Sequence, residues 1–380
     1  MEQAEVIIVG AGPAGLATSA CLRRHNISNI VLEREDCSAS LWKKRSYDRV
    51  KLHLAKQFCQ LPHLPFPKGT PKFVPRNKFI QYVDNYVSHF GITPRYGRSV
   101  ESAVFNEGIG KWCVTVRKRE LEEEVYCGVF LVVATGENSE GFTPLIEGLE
   151  SFEGVCMHSS SYVNGVEFDG KSVLVVGCGN SGMEIAYDLA NSNANTAICV
   201  RNPVHILTKE IVFVAMLLLH FLPLKLVDKM VVAYSKLKHG KLSKWGLPTP
   251  KNGPFFLKAT TGRTPTIDVG CVDKIKTGEI KVFPSITSIE GNKIEFENGK
   301  IKSFDAIIFA TGYRSTVQNW LKEKGHYLFN KNGMPIENFP NHWKGKMDVY
   351  SAGFARRGLS GISDDAQNIA NDISMAFNKY

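Results

Sequence analysis

Glu5–Arg34 reads EVIIVGAGPAGLATSACLRRHNISNIVLER, and Ser172–Arg201 reads SVLVVGCGNSGMEIAYDLANSNANTAICVR. Each opens on an unbroken apolar, β-branched run and breaks at a glycine-rich turn. Each then continues with apolar residues at helical spacing and closes on a second apolar run. Unbroken short apolar runs belong to strands buried on both faces, and the helical stripe to the element that covers them. Both stretches therefore predict a β–α–β unit, two parallel strands joined by a helical crossover. Between them, polar and apolar positions alternate over Ile109–Cys127, as in WCVTVRKR, which predicts an antiparallel hairpin or meander. Phe130–Thr135 (FLVVAT) and Ala306–Thr311 (AIIFAT) predict short buried strands, each running into glycine. Gly278–Lys302 carries short strands with Asn-Gly turns, and Asp348–Phe354 reads as one more strand entering a glycine turn. Ser363–Tyr380 has helical spacing.

The fold class this predicts is α/β, with two Rossmann-like dinucleotide-binding domains. The second repeat lies in mid-chain, so the simplest organisation is an insertion. Residues 1–168 begin the first domain, 169–290 form the inserted domain, and 291–380 return to the first. A helical insert is expected near 203–262. That segment holds IVFVAMLLLHFL (Ile211–Leu222), followed by Lys225, Lys229, Lys236, Lys238, Lys241 and Lys244. The run falls short of the ~20 apolar residues of a membrane span, so no transmembrane segment is expected. A buried helix, a lid over a ligand pocket and a helix in peripheral contact with a membrane surface remain open.

The candidate chemistry sits in the glycine-rich turns. In Gly10-Ala11-Gly12-Pro13-Ala14-Gly15, the first glycine permits the tight turn out of the strand. The second lets backbone approach a pyrophosphate, and the third allows close packing of helix on strand. The helix N-terminus offers free N–H groups and partial positive charge to the phosphates. Glu33, at the end of the next strand, stands where a carboxylate accepts hydrogen bonds from a ribose diol. The second turn is Gly177-Cys178-Gly179-Asn180-Ser181-Gly182, and there the corresponding strand end carries Arg201. A guanidinium at that place favours a 2′-phosphate, hence NADPH over NADH, unless Arg201 is a plain surface arginine. Two fingerprints with different ribose preferences predict FAD in the first domain and NADPH in the inserted one. The protein's task is then to bring the two together and tune them.

Composition narrows the electron acceptor. The nine cysteines are irregularly spaced and contain no C-x-x-C, so neither a zinc site nor an active-site dithiol is expected. No metal is expected, and oxygen or a quinone remains to take electrons from a reduced flavin. Free cysteines and an N-terminus without a basic leader fit a reducing, cytoplasmic location. The net charge of +9 over 380 residues comes from dispersed basic residues without a nucleic-acid motif. It fits anionic small-molecule ligands, and no nucleic-acid partner is expected.

Phe152-Glu153-Gly154-Val155-Cys156-Met157-His158-Ser159-Ser160-Ser161-Tyr162 follows an F-x-G-x-x-x-H-x-x-x-Y pattern, which resembles the identifying stretch of class B flavin-dependent monooxygenases. His158 then either fixes the linker between domains or helps position a cofactor. The stretches SLWKKRSYDR (Ser40–Arg49), LHLAKQFC (Leu52–Cys59), ATGEN (Ala134–Asn138), GNSGME (Gly179–Glu184) and TPTIDVG (Thr264–Gly270) are similar to the plant YUCCA flavin monooxygenases. The match runs from Val6 to about Ala370; Cys178 departs from the glycine of many members. The resemblance implies oxidation of an aryl-pyruvate, indole-3-pyruvate, to indole-3-acetic acid and carbon dioxide with NADPH and oxygen. In the mechanism it implies, a flavin C4a-peroxide attacks the 2-keto carbon. It also implies that His53 and Asn138 lie near the chemistry and Trp42 near the flavin. From the residues alone, a hydrogen-bonded core histidine, a turn asparagine and a core tryptophan stay open. An amine or sulfide oxygenase and a non-catalytic dinucleotide-binding redox sensor are the competing readings; oligomeric state stays open.

Overall fold

Val6–Val9 forms strand β1, and all four side chains are buried, as expected of a strand covered on both faces. The computed structural model describes residues 2–118, 122–322 and 328–377. After β1 come α1 (Pro13–Arg24), β2 (Asn29–Leu32), α2 (Ser40–Lys44) and α3 (Arg76–His89). β3 (Ser99–Asn106), β4 (Lys111–Lys118) and β5 (Glu122–Gly128) make the meander, and β6 (Phe130–Val133) follows. The next group is β7 (Val155–His158), β8 (Ser172–Val176), α4 (Asn180–Asn191) and β9 (Asn195–Cys199). Helices α5 (Lys209–Leu218), α6 (Leu224–His239) and α7 (Pro254–Thr261) precede β10 (Ile280–Phe283) and β11 (Ala306–Phe309). β12 (Val349–Ser351) and α8 (Gly358–Phe377) complete the series used below.

The chain divides into two compact units. The first comprises residues 1–44, 55–140 and 313–380, and the second residues 45–54 and 141–312. In the first, four parallel strands lie in the order β12-β6-β1-β2. The antiparallel meander β5-β4-β3 contributes Trp112, Val114, Val116 and Tyr126 to the same apolar core as Ile7, Leu131 and Val349. Helix α8 packs along α1, so the helix after the first glycine turn is covered by the last one. The helix expected from Ser363 starts at Gly358; residues 378–380 lie outside the described residues, as does Arg119 of the meander.

In the second unit, five parallel strands lie in the order β10-β9-β8-β11-β7. This moves the divisions expected at 168 and 290 to 140 and 312. The reason is pairing: Ala306–Phe309 hydrogen-bonds with Val173–Val176 on one side and Val155–His158 on the other. An apolar run shows that a strand is buried but not which sheet it joins. The 203–262 segment folds as helices α5, α6 and α7 around their own small core, with Val212, Ala215, Val227, Val231 and Phe255 buried. Its outer face leaves Leu217, Phe221 and Leu237 exposed. No described helix is long and apolar enough to cross a membrane.

Candidate functional site

The first glycine turn separates into two kinds of position. Gly10 has φ +110°, and a Cβ there would stand 2.6 Å from the Ala134 carbonyl oxygen. A Cβ on Gly15 would overlap the carbonyl oxygen of Gly10. These two are glycine because the protein's own backbone leaves no room. Gly12 is different. Its backbone is extended (φ −73°, ψ 177°), a conformation open to any residue, and a Cβ would meet no protein atom within 4 Å. Nothing in the chain requires glycine at that point, so the requirement lies outside the chain, in something that approaches the N-terminus of α1. Ala11, Pro13 and Ala14 complete the turn; Pro13 is the first helical residue, where its missing N–H costs nothing. Beside Gly10, the Thr135 hydroxyl is buried with no hydrogen-bond partner among the described residues. An open cradle with an orphaned hydroxyl at its wall fits a dinucleotide pyrophosphate.

Glu33 follows β2 directly and is 7% exposed. One carboxylate oxygen accepts from the Ala11 N–H at 2.7 Å, and the other from the Glu35 N–H at 3.0 Å. Burial raises its carboxyl above the usual range, and these two donors work against that rise. Glu33 thus ties the glycine turn to β2, and since a carboxylate has about four acceptor sites and two are used, it keeps acceptor capacity for a ligand. Sequence reasoning assigned only the ribose role.

The second turn repeats the pattern. A Cβ on Gly177 (φ +115°) would lie 2.5 Å from the Ala310 carbonyl oxygen, and one on Gly182 would overlap the Gly177 carbonyl oxygen. Gly179 is extended (φ −83°, ψ −174°), and its Cβ would meet nothing within 4 Å. Among the described glycines, Gly12 and Gly179 are the two with neither a positive φ nor a neighbour in the way of a Cβ. Asn180 accepts the Ile267 N–H on its side-chain oxygen at 2.7 Å, and the Thr266 hydroxyl donates to the Cys178 carbonyl at 2.8 Å. These bonds hold the TPTIDVG stretch against the turn. Burial pushes the Cys178 thiol up to about 12, so it stays protonated at neutral pH. Arg201 is exposed, two residues beyond β9. Arg201→Ala is expected to raise the KM for NADPH roughly 10- to 100-fold with little effect on NADH. That is the ~1.5–3 kcal/mol of a charge-assisted contact to a 2′-phosphate. Steady-state kinetics with both nucleotides check it, and equal losses would place the phosphate on another residue.

Residues 45–54 pack on the second unit. His53 Nε2 lies 3.0 Å from Glu184 Oε1, and Glu184 is 2% exposed on the inner face of α4. The buried Tyr47 phenol, raised well above its ordinary value chiefly by burial, bonds to Ser181 and Glu184. Arg49 lies 3.6 Å from Asp188 and 4.4 Å over the Tyr187 ring. Near this group, burial lowers the Lys209 ammonium despite the opposing charge of Glu184. The sequence motif GNSGME contains Glu184 without marking it as a buried partner. Its signal was a carboxylate among the apolar positions of an amphipathic helix, which needs a buried partner.

Of the remaining candidates, Trp42 and Asn138 belong to the first unit and His158 to the second. Trp42, half-buried in the first unit, packs with its ring tilted 57° against Phe79 at 4.5 Å between centroids, and its carbonyl accepts from Arg76 at 3.0 Å. Asn138 is exposed in a turn after β6, beside Ser139, whose hydroxyl closes that turn onto the Thr135 and Gly136 carbonyls. His158 Nδ1 accepts the Ser160 N–H at 3.1 Å, so Nε2 carries the proton and donates to the Gly312 carbonyl at 3.0 Å. Burial lowers its pKa, and both ring nitrogens serve the local fold of the second unit.

A model of the family "FMO-like: Flavin-binding monooxygenase-like" matches residues 3–338. The chain is 52% identical to the probable indole-3-pyruvate monooxygenase YUCCA10 of Arabidopsis thaliana, over 97% of this chain and 96% of that one. It is 46% identical to the Arabidopsis indole-3-pyruvate monooxygenase YUCCA6, over 97% and 89%. Among solved structures, a flavin-containing monooxygenase from Stenotrophomonas maltophilia matches with a TM-score of 0.74 at 19% identity, covering 100% of both chains. Cyclohexanone monooxygenase from Rhodococcus with NADP+ bound gives 0.74 at 15% identity, over 99% of this chain and 85% of that one. At those identities the likeness is one of fold.

Proposed function

Because this chain belongs to the flavin-binding monooxygenase-like family, and within it to the YUCCA type, we propose that it converts indole-3-pyruvate to indole-3-acetic acid and carbon dioxide, using NADPH and dioxygen. One oxygen atom enters the acid and the other leaves as water. The observation that carries the reading is the pair of open cradles at Gly12 and Gly179, in a chain with 52% identity to such a monooxygenase.

FAD belongs to the first unit and NADPH to the second. Bound FAD, once reduced by NADPH, supplies the activation of oxygen. The chain's own residues do the rest. Gly12 leaves its side-chain space to the FAD pyrophosphate, the N-terminus of α1 meets that charge, and Glu33 holds both the turn and the ribose. Gly179 and the N-terminus of α4 do the same for NADPH, with Arg201 taking the 2′-phosphate. His53 and Glu184 fix residues 45–54 on α4, beside the NADPH turn. A 2-keto acid carries its own leaving group, so no side-chain nucleophile is required, and none is assigned. The nine free cysteines support a reducing, cytoplasmic setting as part of the same proposal.

The test is isotopic. Turnover of indole-3-pyruvate under oxygen-18 gas should place one labelled atom in the product carboxylate, with carbon dioxide released one-for-one with NADPH consumed. Phenylpyruvate should also react, since an apolar pocket separates such rings by only ~1–3 kcal/mol. NADPH oxidation that yields only hydrogen peroxide, whatever keto acid is supplied, would sink the assignment.

A further inference from the structure

No two cysteines of the sequence stand at the C-x-x-C spacing of a redox dithiol. The meander brings two together all the same. Cys113 on β4 and Cys127 on β5 are direct cross-strand partners in the antiparallel register. Trp112, Val114 and Val116 point into the apolar core, so by strand alternation Cys113 lies on the opposite face of the sheet. Cys127 faces it there, and the two Sγ atoms are 2.8 Å apart. Fourteen positions separate them in the chain, across the hairpin.

We propose that Cys113 and Cys127 are a site of reversible oxidation, closing to a cross-strand disulfide when the protein meets hydrogen peroxide. Cross-strand neighbours hold their Cβ atoms ~4.5–5.5 Å apart, and a disulfide needs ~3.5–4.5 Å, so closure takes a contraction of about 1 Å. A bond formed against that spacing is more readily reduced than a relaxed structural one. The two positions divide the work. Cys113 is partly exposed and is the sulfur that peroxide reaches, while Cys127 is fully buried against it. Burial, helped by the bond to Cys113, holds the Cys127 thiol up to about 11, so it waits protonated as the resolving partner. In the first step the Cys113 sulfur takes one peroxide oxygen. The O–O bond breaks, and sulfenic acid and water result. In the second the Cys127 sulfur attacks the Cys113 sulfur, its proton goes to the departing oxygen, and a second water leaves. Two thiols lose two electrons, and one hydrogen peroxide is reduced to two waters.

The proposal predicts a peptide link. The full-length flavoprotein is treated with graded hydrogen peroxide, alkylated, digested without reductant and mapped by mass spectrometry. The expected result is a linked pair of peptides carrying Cys113 and Cys127, about 2 Da below the sum of the free peptides, which dithiothreitol restores. The exposed Cys156 serves as an internal control for contact with the oxidant. Cys113→Ser should abolish the link and leave Cys127 as an alkylatable thiol after denaturation. The wild-type map decides the question even if Cys127→Ser does not fold. Recovery of Cys113 as a free thiol, as sulfinic acid or bound to another partner, at peroxide levels that oxidise Cys156, overturns the proposal.

Discussion

Gly12→Val should fold and purify colourless. The substitution keeps a backbone conformation that valine adopts readily, and its side chain meets no protein atom in the ligand-free turn. The cost within the protein is limited to a poorer residue at the start of α1, about 1 kcal/mol. The cost to FAD is far larger. A branched side chain in the path of the pyrophosphate forces displacement or overlap worth at least ~3 kcal/mol, more than 100-fold in affinity. Visible flavin absorbance should therefore be absent, and activity should fall by at least the same factor. The comparison that makes the result specific is Gly15→Ala. There a single methyl group would overlap the Gly10 carbonyl oxygen, so the expected outcome is failure to fold rather than loss of colour. Thermal melts must be referred to flavin-free wild type, because bound cofactor raises apparent stability by mass action. A yellow, fully occupied Gly12→Val protein would refute the assignment of FAD to this turn.

Gly179→Val should give the complementary defect: a yellow protein whose flavin no longer accepts electrons from NADPH. The geometry at Gly179 repeats that at Gly12, so the same steric argument predicts at least a 100-fold weakening of NADPH binding. FAD content should be unchanged, since the residue belongs to the other compact unit. Anaerobic mixing with NADPH should leave the flavin oxidised, while dithionite should still bleach it. A colourless Gly179→Val protein, beside a yellow Gly12→Val protein whose flavin NADPH no longer reduces, would mean that the two assignments are exchanged.

What the chain reveals by itself depends on how local the cause is. The two β–α–β units were legible because each is a contiguous pattern, and so were their glycines, whose roles follow from a fixed spacing. The ties that cross long stretches of chain were hidden. His53 and Glu184 are 131 positions apart, and nothing in either neighbourhood names the other. Cys113 and Cys127 required knowledge of a strand register, which a one-residue slip would undo. The sheet to which Val155–His158 and Ala306–Phe309 belong was hidden for a related reason, because a buried apolar strand suits any parallel neighbour. Glu33 shows a third case: the fingerprint suggests only a ribose role, whereas its bond to the Ala11 N–H appears when the turn is built.

The strand order β12-β6-β1-β2 has a consequence for the order of events during synthesis. The second unit contains nothing beyond residue 312, so all its strands have been translated while the first unit still lacks an edge strand and a helix. The first unit must wait for Val349–Ser351 to flank β6 and for Gly358–Phe377 to cover α1. Domains usually mature in the order in which they leave the ribosome. Here the interrupted one begins first and finishes last. The earliest glycine turn to be translated is thus among the last to gain its supporting helix.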